Sequence, residues 1–149
     1  MSLDMTLRSF AVGAAFSLMA TAAFAGPAED QAAVAKVLGE ASAGWSRGDL
    51  DAFMASYEKA PQINYVSGGK VTQGYDAIRE IYAPRFTEPT KMPKLTTEIV
   101  DFDPLGADYA AVVGRFHLTL PDGKDATGLF SLVFHKTAQG WRIVSDHSS

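Results

Sequence analysis

Three residues between Gly114 and Ser149 could do chemistry on a small molecule: Arg115, His117 and Asp146. An arginine in an apolar hollow needs an anion, because a buried guanidinium left unpaired is very costly. Arg115 is therefore expected either to clamp the carboxylate or enolate of a ligand or to pair internally with Asp146. His117 titrates near neutrality and could serve as a general acid or base. As a plain wall residue it would need only a hydrogen bond. Asp146 falls in a sheet flanked by apolar residues, so its pKa is expected to be raised unless it is paired. It is the best carboxylate available for a catalytic base. The catalytic and the structural readings of these residues both stay open at this point.

Two turns decide which of these side chains share a face. Pro121-Asp122-Gly123-Lys124 carries Asp-Gly, the preferred centre of a two-residue type I′ turn. That turn predicts His117 opposite Gly128 and Arg115 opposite Phe130. Directly opposed residues lie on one face, so all four are expected to line a pocket, with Gly128 leaving open space over the strand. Ala138-Gln139-Gly140 fits a three-residue loop with glycine in the left-handed position. It pairs Leu132 with Asp146 and Phe130 with Ser148, adding Asp146 and Ser148 to the pocket. A one-residue slip would instead turn Trp141, Ile143 and His147 inward. The opposite face then holds Phe116, Leu118, Leu129, Val133 and Ile143. It is too apolar for water and predicts a second subunit packed sheet to sheet, a homodimer through the outer face.

The elements that must position these residues follow from periodicity. Val34, Val37, Leu38, Ala41 and Trp45 recur at helical spacing and predict a helix over Gln31–Trp45, with Asp30 as N-cap and Gly48 as the stop. Asp49 caps a second helix that buries Leu50, Phe53, Met54 and Tyr57 and is ended by Pro61. Gln62–Val66 and Val71–Gln73 read as short strands about a Ser-Gly-Gly-Lys turn. Gly74 opens a third helix, Tyr75 to about Ala83, with Ile78, Ile81 and Tyr82 inward. Pro84, Pro89 and Pro93 make a loop. Four long strands follow in meander, from Lys94 to Ser148. Helices gathered before strands indicate an α+β domain whose curved antiparallel sheet wraps the helices and leaves a hollow. Trp45, Tyr57, Tyr65 and Tyr82 point at that hollow and are expected to give it aromatic walls with polar tips.

The chain has 149 residues, enough for one domain, and its 47% hydrophobic and 20% charged composition argues against disorder. A net charge of -4 offers no basic patch for nucleic acid. Arg8, the apolar run Phe10–Phe24 and Ala23-Phe24-Ala25 read as a signal peptide, with cleavage leaving a single domain of residues 26–149. The run is short for a membrane span, so no membrane attachment is expected after cleavage. A periplasmic or secreted protein is implied, and with no cysteine its core must hold it together without disulfides. The three histidines form no His-x-His or His-x-x-x-His pair. No metal site is expected, and Asp101, Asp103 and Asp108 read as a solvated turn. No cofactor-binding motif is present.

The junction Trp45-Ser46-Arg47-Gly48-Asp49-Leu50-Asp51, the Gly74-x-x-x-Ile78-Arg79 segment and the ending Gly140-Trp141-Arg142-Ile143-Val144-x-Asp146-His147-Ser148-Ser149 carry a resemblance. The chain resembles the nuclear transport factor 2-like superfamily, in the branch of SnoaL-like proteins and the calmodulin-dependent kinase II association domain. The resemblance covers nearly all of residues 26–149. It implies a cone-shaped α+β fold, an open pocket and commonly a dimer, with the arginine at the Arg115 position pointing inward. The superfamily includes ketosteroid isomerases and polyketide cyclases, which place an aspartate base near the first short strand. Here that strand, Gln62-Ile63-Asn64-Tyr65-Val66, has no carboxylate, and Leu132 stands at the approximate position of the isomerases' second aspartate. The expectation is an exported domain that binds a small, anionic organic molecule, a carboxylate above all. A cofactor-free isomerase, cyclase or lyase using His117 or Asp146, and a non-catalytic dimeric scaffold, are the alternatives.

Overall fold

The computed structural model describes residues 26–149; the expected signal peptide lies outside the described residues. Three helices come first in the chain's order, α1 Pro27–Ser46, α2 Leu50–Met54 and α3 Tyr75–Tyr82. Between α2 and α3 lie the short strands β1 Asn64–Ser67 and β2 Lys70–Gln73. Two 3-10 turns, Ala83–Phe86 and Pro89–Lys91, lead to the long strands β3 Lys94–Pro104, β4 Tyr109–Thr119, β5 Asp125–Thr137 and β6 Gly140–Ser148. One six-stranded sheet has the order β2-β1-β6-β5-β4-β3. Every pair is antiparallel except β1 with β6, which run parallel. The helices pack on one face of this curved, open sheet, and the expected α+β architecture is what the chain adopts.

The helix start differs from expectation. Gly26 is the N-cap of α1 and Pro27 its first residue, a position where proline's missing N–H and fixed φ cost nothing. Asp30, expected as the cap, instead reaches Lys136 on β5 at 2.8 Å and ties the start of α1 to the sheet. Lower on α1, Ser46 accepts a hydrogen bond from the Leu95 backbone N–H at 2.9 Å, which fixes the helix against β3. Asp49 caps α2 as expected, its carboxylate accepting from the Ala52 N–H at 2.9 Å. The core between helices and sheet is built on Val34, Met54, Ile63, Ile78, Val112 and Phe134, all with under 2% exposure.

The register of the β4–β5 hairpin is one residue away from the expected one. Leu120 and Lys124 close the strands, and Gly123 N–H donates to Leu120 C=O at 2.9 Å. Pro121 and Asp122 are thus the centre of a type I turn, and Gly123 follows at φ +82°. Proline explains the choice. In a two-residue Asp-Gly turn Pro121 would close the strand, where its missing N–H is wanted. As the first central residue of a type I turn its fixed φ is already right. The consequence is a swap of faces. Arg115 stands opposite Leu129 and His117 opposite Thr127, while Phe116 meets Gly128 and Gly114 meets Phe130. Both glycines are filled, not open. A Cβ on Gly128 would stand 2.3 Å from the Phe116 ring, and one on Gly114 would stand 2.1 Å from the Phe130 ring.

The β5–β6 hairpin also departs from expectation, and then corrects itself. Its loop has two residues, Ala138 and Gln139, between Thr137 and Gly140. Trp141 and Ile143 therefore face inward, with 3% and 4% exposure. Farther along, Phe134 pairs with Ile143 but Val133 with Ser145, so Val144 is an extra residue in β6, a bulge. Past it the pairing Leu132–Asp146 and Phe130–Ser148 is the expected one. The bulge sits where Ile143 leaves the regular ladder to bond the segment after α2. Its N–H donates to Ser56 C=O at 2.8 Å, and its C=O accepts from Glu58 N–H at 3.0 Å.

Candidate functional site

A cavity of about 250 Å³ lies between the helices and the concave face of the sheet. Its walls are rich in aromatic rings. Trp45 from α1, Phe53 from α2, Tyr57, Tyr82 from α3 and Tyr65 from β1 supply one side; Phe116, Leu118, Phe130 and Leu132 from the sheet supply the other. The rings interlock edge to face, Trp45 with Phe53 at 5.3 Å and Phe53 with Tyr82 at 4.8 Å between centroids. Such contacts hold flat walls apart rather than letting them collapse.

The polar feature of the cavity is Asp146, on β6 beyond the bulge, with 4% exposure. Tyr57 donates to its Oδ2 at 2.5 Å, and Ser148 donates to its Oδ1 at 2.8 Å. No cation pairs with it among the described residues. Burial pushes its carboxyl above the usual range, outweighing the two hydrogen bonds and the His147 charge that favour the ionised form. The same burial raises the Tyr57 phenol, which also feels the Asp146 charge. Tyr82 is raised for the same two reasons. Both phenols therefore stay protonated and act as donors. Asp146 is left with acceptor capacity that the protein does not use.

Most of the expected pocket residues meet here: Trp45, Tyr57, Tyr65, Tyr82, Phe130, Asp146 and Ser148 all line the cavity. Arg115 and His117 do not. The hairpin register turns Arg115 to the outer face of the sheet, exposed to solvent. An exposed guanidinium needs no buried anion, so the expected clamp and the expected pairing with Asp146 are both withdrawn. His117 is on the same outer face, half-exposed, its Nε2 3.0 Å from Asp125. That contact holds the Asp125 carboxyl below its usual range. His117 thus has no access to a molecule in the cavity. His135, also outward, has Nδ1 2.7 Å from Glu58 and stacks on Tyr109 with centroids 4.7 Å apart. The residues that took the inward places are Phe116 and Leu118, which had been expected on the dimer face.

One charged lining residue was not anticipated. Arg85 lies at the exposed rim of the cavity, its guanidinium 5.5 Å from the Tyr82 ring and 6.0 Å from the Trp45 ring. It belongs to the 3-10 turn Ala83–Phe86, in a stretch expected as loop. The signal was available. Ile78, Tyr82 and Phe86 recur every four residues and are all buried, so the apolar stripe runs on through Pro84 and carries Arg85 with it.

The fold and the cavity can now be set against known proteins. The model of the SnoaL-like domain matches residues 34–149. The chain belongs to the SnoaL-like family. Among solved structures it is similar to a nuclear transport factor 2-like protein of unknown function from Shewanella oneidensis MR-1. The two are 31% identical with a TM-score of 0.75, over 80% of this chain and 98% of that one. The same fold recurs in a candidate calcium/calmodulin-dependent protein kinase type II association domain from Thiobacillus denitrificans, at 21% identity and TM-score 0.65, over 85% and 95% of the two chains. It recurs again in a ketosteroid isomerase-like protein from Erwinia carotovora atroseptica, at 20% and 0.61, over 81% and 95%. No curated protein matches the SnoaL-like chain described here.

Proposed function

We propose that this SnoaL-like domain binds one small organic molecule, gripped at its inner end by Asp146. The observation that carries this is a buried carboxylate on a cavity wall with two neutral donors and, among the described residues, no cation. Taking a carboxylate out of water costs on the order of several kcal/mol, and two neutral hydrogen bonds return only part of that. A neutral or apolar residue would serve the fold better. The unused acceptor capacity fits a hydroxyl or amine donor on a bound ring. The test is a calorimetric screen of single-ring alcohols, phenols and amines on wild type and Asp146→Asn. Ligands should bind the wild type and lose roughly tenfold or more in the variant. Equal binding to both would sink the Asp146 anchor.

A second reading rests on the raised pKa of Asp146, which suits a proton acceptor. In it, Asp146 takes a proton from a carbon next to a ligand carbonyl and returns it elsewhere, a cofactor-free isomerisation. Deuterium exchange into small cyclic ketones, catalysed by the wild type and abolished in Asp146→Asn, is the expected result. Exchange equal in both would exclude it.

We also read residues 1–25 as an export signal, so that mature protein from periplasm or medium begins at Gly26; retention of the leader would contradict this. A homodimer through the outer face completes the proposal. That face keeps Val113 and Leu129, 39% and 47% exposed, beside Tyr109 and Val133.

A further inference from the structure

We propose that Arg85 selects for an organic anion, so that the ligand is a ring acid whose carboxylate sits at the cavity mouth while its other end faces Asp146. This rests on the reading of the cavity as a ligand site and adds the chemistry of its outer end. Among the side chains that line the cavity, Arg85 is the one full-time cation and Asp146 the one carboxylate, so the two carry opposite preferences.

Three observations place the anion. Arg85 has no carboxylate within ion-pair distance among the described residues, whereas Arg79 and Lys136 each have one. Its guanidinium lies 5.5 Å from the Tyr82 ring centroid and 6.0 Å from that of Trp45, within cation–π reach of both walls. The buried Phe86 beside it pins the turn that carries it. A carboxylate suits that guanidinium better than a neutral alcohol or amide, because the charged fork gains most from a charged acceptor. A cavity of about 250 Å³ limits the remainder of the molecule to a single ring with a short arm.

The experiment compares matched acids and amides by calorimetry: 4-hydroxybenzoate, 4-hydroxyphenylacetate and 3-(4-hydroxyphenyl)propionate, each with its carboxamide, and 4-methylphenol as the neutral control. Full-length mature protein is used as wild type, Arg85→Gln, Arg85→Lys and Asp146→Asn. Arg85 is exposed, so its variants are expected to fold, and unchanged melting curves check this. At least one acid should bind the wild type roughly ten- to a hundredfold more tightly than its amide. Arg85→Gln should erase that preference by weakening the acid far more than its amide, and Arg85→Lys should restore part of it. Acid and amide binding alike to the wild type, or an acid preference that survives Arg85→Gln, overturns the proposal. If 4-methylphenol and the amides bind through Asp146 but the acids do not, Arg85 is not a selector and the cavity remains a ligand site. If nothing in the set binds, both readings fall.

Discussion

Asp146 shows why its protonation should be visible in the stability of the whole domain. Burial raises its folded-state pKa above the ordinary 3.8. The folded protein then holds the proton more tightly than the unfolded chain, so ionisation weakens the fold. The cost is absent below about the unfolded value, grows as pH rises through the raised one, and is complete above it. Denaturant unfolding of wild type and Asp146→Asn across that range should give a stability difference that moves in favour of the variant as pH rises. A difference independent of pH would mean that the carboxyl titrates alike in both states. Tyr57→Phe should act in the opposite sense. It removes the 2.5 Å donor from a buried acceptor and should cost roughly 1–3 kcal/mol where that carboxyl is ionised, less in acid where it is neutral. Asp146 was legible because the pairing read from the second turn, Leu132 with Asp146, is the one the structure has. Arg115 was misplaced because its side chain is read through a turn several residues away, and a step of one residue reverses every face along a strand.

The strands and helices themselves were plain in the sequence. Helical stripes, the Asp49 cap and the glycine at position 74 give the elements to within a few residues, except that α2 ends at Met54 and does not run on past Tyr57 to Pro61. What a local reading could not reach is where each hairpin places its odd residue. Pro121 moves the first turn by one, and the second turn leaves its extra residue to Val144. The two effects differ in outcome. The first exchanges Arg115 and His117 for Phe116 and Leu118; the second restores Asp146 and Ser148 to the cavity. Reciprocal glycine–phenylalanine pairs lock the β4–β5 register, since each ring lies over the glycine opposite the residue that bears it. Gly114→Ala should therefore destabilise by about 1–3 kcal/mol through overpacking against Phe130. Adding Phe130→Leu should recover part of that loss, an interaction measurable in a double-mutant cycle. Simple additivity would show that the ring and the glycine are not coupled.

At the scale of the whole molecule, the outer face is less apolar than the expected register made it, because Phe116, Leu118 and Ile143 face the interior. What remains around Val113 and Leu129 is compact and central to the sheet. Leu129→Glu should convert a dimer to a monomer in sedimentation equilibrium without changing ligand affinity. A wild type that sediments as a monomer at micromolar concentration would contradict the dimer outright.

The parallel pairing of β1 with β6 has a further consequence, for the order of events in folding. β6 lies between β1 and β5, and it sets Ser145 beside Asn64, 81 residues earlier in the chain. Contacts so distant along the chain form late and slowly. During synthesis, helices and a partial meander can gather early, but the sheet stays in two pieces until β6 slots between them. The floor of the cavity arrives with that same strand. A chain built this way joins the two parts of its sheet and brings Asp146 to the cavity in the same closing step.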